Sequence, residues 1–267
     1  MLNLIKASLY KLFRDKTFLV TAIIGVVLAA FMVLINYGIG ALKGETMFMS
    51  TATPGSNFGL AVPINLIVFT VGEFTYGTVR NKIIAGLSKT KIYFGLFITG
   101  LVFTFILMGA YSLLVVGSSS LISGCDIEAI GGIKFILCYI AYVICDYIFI
   151  TALSVFFASL IRSIGGAISI VIILLVFLTL LPLILLGAQA TISGGGLAPD
   201  HWSMWINPLY MTGFYGNNVF AIFASSGIIN FFDQNVQMVC AGIIVPLIWA
   251  VAFVVGGLFI FKYSDVK

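Results

Sequence analysis

Six stretches of this chain are long enough, when wound as helices, to cross a lipid bilayer, and they carry almost no charge. They run about Thr17–Leu42, Phe58–Val79, Ile92–Leu121, Ile133–Ile161, Gly165–Ala188 and Val236–Phe261. A helix of about 20 mostly apolar residues spans the hydrocarbon core. Helices are required because unsatisfied backbone groups are too costly in lipid, and no alternating pattern of strand length points to a barrel. The expected fold class is therefore all-α integral membrane, with six transmembrane helices.

Composition excludes the soluble alternative. Of the 267 residues, 61% are hydrophobic and 8% charged, whereas a soluble domain carries roughly a quarter charged residues. The first apolar run is too long for the core of a signal peptide, and no small-residue cleavage site follows it, so no cleavable signal is expected.

Lysine and arginine placement gives the orientation. Lys6, Lys11, Arg14 and Lys16 precede the first span. Arg80, Lys82, Lys89 and Lys91 lie between the second and third, Arg162 lies between the fourth and fifth, and Lys262 and Lys267 follow the sixth. Eleven of the 13 basic residues thus fall on one side, leaving Lys43 and Lys134 on the other. The crowded side is expected to be the cytoplasm. Both termini then lie inside, in a multi-pass protein of the cell (inner, cytoplasmic) membrane. The net charge of +4 gathers at span ends, so it is no argument for nucleic acid, and none is expected as a partner.

Residues 1–16 pattern as an amphipathic interfacial helix. Leu2, Ile5, Leu9, Leu12 and Phe13 share one face, and Asn3, Lys11 and Arg14 fall opposite, with the cations directed at anionic headgroups. The outer loop 189–235 carries Trp202, Trp205, Tyr210, Phe214 and Tyr215, then apolar Val219–Ala224. Such residues favour the headgroup level, so short helices dipping into the outer leaflet are expected there. With no linker and no internal repeat, 1–267 reads as a single transmembrane domain.

The segment joining spans two and three is the most informative. Glu73 is an acid near the inner end of an otherwise apolar span, Gly77-Thr78 closes the helix, and a short amphipathic piece, Val79–Leu87, follows. A carboxylate at that depth is costly unless it meets a cation or water. Arg80, seven residues on, lies two turns further along the same face of a continuous helix. The plain reading is a helix end trimmed with charges; the sharper one is a loop built to press on a soluble partner.

On Glu73, Gly77, Thr78, Arg80, Asn81, Ser88 and Lys89, the chain resembles the permeases of the ABC-2 family of ATP-binding-cassette transporters. The basic amphipathic helix before the first span, the six spans, the large last outer loop and its Asn207-Pro208 agree with that resemblance. Gly95 and Leu96 depart from it, standing where the family often has a lysine. The resemblance implies that the cytoplasmic loop 79–91, with Lys82 among its cations, is the coupling segment that docks on an ATPase. It also implies two separate ATPase subunits, which bind the ATP and magnesium, and a second permease chain, identical or not, completing a dimer. The function so implied is membrane subunit of an ATP-driven exporter rather than an enzyme.

Other motifs limit the chemistry. A phosphate-cradling loop needs G-x-x-x-x-G-K-[ST] after a strand. Ile192–Leu197 is glycine-rich but lacks the lysine, so no cofactor is expected in this chain. Four cysteines (Cys125, Cys138, Cys145, Cys240) without a CxxC pair and one histidine, His201, give no metal centre. No acid pair or Ser–His pair occupies the spans, which disfavours an intramembrane enzyme.

Asp146, mid-way through span four, and Asn65 in span two are candidate residues of a translocation path. At the bilayer centre Asp146 must be neutral, paired, or facing a wet cavity. Tyr142, Tyr147 or a polar group on another span could satisfy it. An alternative function follows from the acids alone: an ion-coupled secondary transporter using Asp146 and Glu73. Spans rich in Phe, Leu, Ile and Met suit hydrophobic or amphipathic cargo, with peptide toxins of bacteriocin type and drugs as the first classes; the family resemblance implies self-protection, and so antimicrobial resistance, as the role.

Overall fold

The computed structural model describes residues 2–38, 60–124, 132–193, 205–209 and 236–263. Their regular elements are helical: α1 Leu2–Phe13, α2 Lys16–Gly38, α3 Ala61–Thr75, α4 Thr78–Ile84, α5 Lys89–Ser123, α6 Gly132–Ile161, α7 Ile164–Ser193 and α8 Val236–Tyr263. Five of these are long and apolar enough to cross a membrane. The bent pair α3–α4 brings the number to six if it counts as one span. Lys43, Cys125, His201, Lys267 and most of the loop 189–235, including Trp202, Tyr210, Phe214, Tyr215 and 219–224, lie outside the described residues. So do the side chains of Lys134 and Cys138.

The second apolar run departs from its expected form. It stops at Thr75, and the chain turns through 54° into α4. Gly77 adopts a left-handed conformation (φ 68°) at the corner, a region glycine enters without steric cost. Tyr76 and Gly77 return their N–H groups to the carbonyls of Gly72 and Phe74, so the break leaves those donors satisfied. Pro63 sits in the first turn of α3, where its missing N–H is not needed.

Helix α6 is the centre of the bundle and packs against α8, α3, α5 and α7. Close approach rests on small residues. A Cβ on Gly100 of α5 would press on Thr151 of α6 and Leu66 of α3. Nearby, Thr104 and Thr151 share a buried hydrogen bond of 3.1 Å. Helix α2 turns Thr21, Gly25, Ala29 and Val33 inward at four-residue spacing. Its outer face, with Leu19, Val20, Ile23 and Val27, is bare apolar surface, as a lipid-facing helix requires.

The segment between α7 and α8 is anchored at its Asn-Pro step. Asn207 Nδ2 donates to the Leu178 carbonyl of α7 at 2.7 Å, and the Asn207 side-chain oxygen accepts from Leu209 N–H at 3.0 Å. The Trp249 indole N–H of α8 reaches the Ile206 carbonyl at 2.9 Å. Residues 205–209 therefore tie α7 to α8.

Candidate functional site

Glu73 lies in the last turn of α3 with its side chain 1% exposed. A carboxylate so enclosed is tolerable only with its charge met by partners. Two lysines meet it, one per oxygen: Lys11 Nζ at 2.6 Å from Oε1 and Lys82 Nζ at 2.6 Å from Oε2. Lys11 also reaches Thr78 Oγ1 at 3.4 Å. Lys82 is 16% exposed and Lys11 45%, so the cluster opens to solvent on the Lys11 side. One carboxylate thereby joins α1, α3 and α4.

Two expectations are corrected by this geometry. The cation for Glu73 is not Arg80, because the two-turn spacing assumed an unbroken helix. The corner at Gly77 redirects the chain, leaves Arg80 exposed and brings Lys82 back. Lys11 does not turn away from the bundle toward headgroups; it turns in to Glu73. On α1, Ser8 and Leu12 are buried, whereas Lys6 and Tyr10 are exposed, and Arg14 just past its end is exposed and donates to the Tyr10 hydroxyl at 2.7 Å.

The remaining residues of the segment separate into two groups. Tyr76 (79% exposed), Arg80, Asn81 and Ile84 (75% exposed) form the outward side of the corner and of α4. Ser88 and Lys89 serve helix ends instead. Ser88 caps α5 by accepting from Lys91 N–H at 3.4 Å, and Lys89 Nζ donates to the Lys262 carbonyl at the end of α8, 3.1 Å away. Gly95 has a local reason: Leu4 of α1 lies 2.8 Å from where a Cβ there would sit. A side chain at 95 would require Leu4 to move.

Asn65 and Asp146 occupy different interfaces. Asn65 accepts from Thr21 Oγ1 of α2 at 2.9 Å and donates to the Ala61 carbonyl at 2.7 Å. It lines a small recess with Leu12, Asp15, Thr17, Phe18, Phe69 and Phe103. Asp146 is fully buried on α6, together with Tyr139, Tyr142 and Tyr147 of the same helix and Tyr111 of α5. The Tyr139 and Tyr142 rings lie 6.0 Å apart, and Asp146, Tyr139 and Tyr111 are all within electrostatic reach of Tyr147. Phenols thus surround Asp146 on its own helix and on α5.

Sequence reasoning missed Lys11 as a ligand of Glu73, and it missed Phe74 and Arg162. The Arg162 guanidinium lies over the Phe74 ring, 5.5 Å from its centroid. Nothing in the spacing of residues 11, 73 and 82 announces their meeting; the one signal was that Glu73 required a cation. Among the described residues no group of three His, Cys, Asp or Glu side chains could hold a metal ion. No protein-family model matches the chain, and no curated protein does.

Proposed function

We propose that this chain is the transmembrane permease subunit of an ATP-driven exporter of the ABC-2 type. It crosses the cell membrane six times with both termini in the cytoplasm and works as one of two permease halves with two separate ATPase subunits. Its cargo is hydrophobic or amphipathic, of the peptide-toxin or drug class.

One observation carries the reading. A buried carboxylate binds the amphipathic N-terminal helix to a bent, exposed helical corner at the basic end of the bundle. A simple helix end trimmed with charges needs no such joint. A lever that receives force from a soluble partner does, because a short helix of seven residues is not held in place by its own hydrogen bonds. The exposed Tyr76, Arg80 and Ile84 offer that partner a cation and two apolar contacts. Glu73 is engaged by two lysines, which weighs against its use as a free ion-coupling acid.

The test is co-purification from the native membrane. A soluble ATPase should accompany the chain, and the pair should hydrolyse ATP. R80E should weaken that association and leave insertion intact. Lys82 is a poor choice for the same test, since its reversal also breaks the Glu73 pair. A chain that brings down no ATPase under conditions preserving the bundle would refute the proposal.

A further inference from the structure

Phe74 follows Glu73 directly, and consecutive helical residues point about 100° apart. Glu73 faces α1 and α4, whereas Phe74 faces the opposite group of elements. One face of its ring carries the Arg162 guanidinium from the α6–α7 turn, 5.5 Å from the centroid. The Phe74 and Phe261 rings meet edge to face, with centroids 5.7 Å apart and planes at 74°. Phe261 in turn lies 6.0 Å from Tyr93 of α5.

Arg162 is held in an unusual way for this contact. It is the one non-glycine residue with positive φ (52°) among the described residues, in a region that favours glycine or asparagine. Its Nε donates to the Ser159 carbonyl at 3.4 Å. Glycine would suit that backbone better; what glycine lacks is the cation over Phe74. A cation over an aromatic face shifts an equilibrium by roughly twofold when exposed to about thirtyfold when desolvated.

We propose that Phe74 is a positioning residue of the coupling apparatus. Its ring fixes the α6–α7 turn and α8 to the α3–α4 corner. A displacement of α4 then reaches α1 through Glu73 and reaches α6, α7, α8 and α5 through Phe74. The inference rests on the permease reading for its purpose, though not for its geometry. Two adjacent side chains at the end of α3 thus reach α1 and α4 on the one hand and the α6–α7 turn and α8 on the other.

The geometric part is tested on the chain alone. Spin labels are placed through I84C and S163C, both at exposed positions, in protein lacking its other cysteines and held in lipid nanodiscs. The native chain and F74W should give one narrow distance distribution. F74L and R162Q should broaden it, the first by removing the ring and the second the charge. Narrow distributions in both F74L and R162Q would overturn the proposal, and R162Q, at a half-exposed position, still decides it if F74L fails to insert.

The functional part uses the co-purified ATPase. F74L should lower cargo exported per ATP hydrolysed by roughly fivefold, within the range for such a contact, with ATPase association unchanged. F74W should restore it. If no ATPase binds the native chain, the permease reading falls while the distance measurement still decides the role of Phe74. If the ATPase binds and F74L exports as the native chain does, the inference alone falls.

Discussion

Lys82 Nζ reaches Glu73 Oε2 at 2.6 Å across a 54° corner in the chain. Those two residues lie nine positions apart, a spacing that would separate them on a straight helix. The bend at Gly77 is therefore part of the ion pair, and the ion pair is part of what keeps the bend. The same carboxylate holds Lys11 from a helix 62 positions away in sequence.

The three members of this cluster should not be equivalent. E73Q leaves two lysines facing each other, one of them mostly buried, and should cost about 2–3 kcal/mol, below the full penalty for breaking a buried pair because Lys11 is half exposed. K82M should cost less, and K11M least, under about 1 kcal/mol. Thermal unfolding in detergent measures the order. Faster tryptic cleavage after Lys11 in E73Q would report the release of α1. Equal losses for K11M and E73Q would show that the Lys11 contact carries the whole contribution of Glu73.

Gly256 and Gly257 are neighbours in α8 with opposite tolerance. A Cβ on Gly257 would fall inside the Tyr93 hydroxyl, whereas one on Gly256 would meet Phe156 at 3.6 Å, an ordinary contact. G257A should cost about 1–3 kcal/mol by overpacking, and G256A should be close to neutral. The difference in melting temperature between the two variants is the measurement.

Asp146 should tolerate amide replacement. It is fully buried among phenols, so a group of the same shape that still forms hydrogen bonds preserves most of its contacts. D146N should fold and export as the native chain does, while D146L should lower expression and stability, because it takes the carboxyl-shaped polar group out of a buried site lined by phenol hydroxyls. Loss of export in a well-folded D146N would restore the ion-coupled alternative.

The Thr21–Asn65 hydrogen bond joins α2 to α3 at 2.9 Å. T21V keeps the shape and removes the donor. The cost should be about 0.6 kcal/mol and at most about 1.7, the range for interhelical hydrogen bonds in membrane bundles. A loss of several kcal/mol on thermal unfolding would mean that Asn65 has a further role at the recess.

The sequence by itself determined the class of this protein. Apolar runs of bilayer length and the near absence of charge leave helices as the workable solution, and the described helices begin and end within a few residues of those runs, except where the second stops at Thr75. It also determined that Glu73 and Asp146 need polar company, since burial of either is costly without it. Tertiary structure decided which company. The partner of Glu73 depends on the turn at Gly77 and on α1 packing against α5, and neither follows from helical periodicity, which assumes a straight axis. The stacking of Arg162 on Phe74 likewise joins a turn between two spans to the end of a third, a long-range contact that local pattern does not encode.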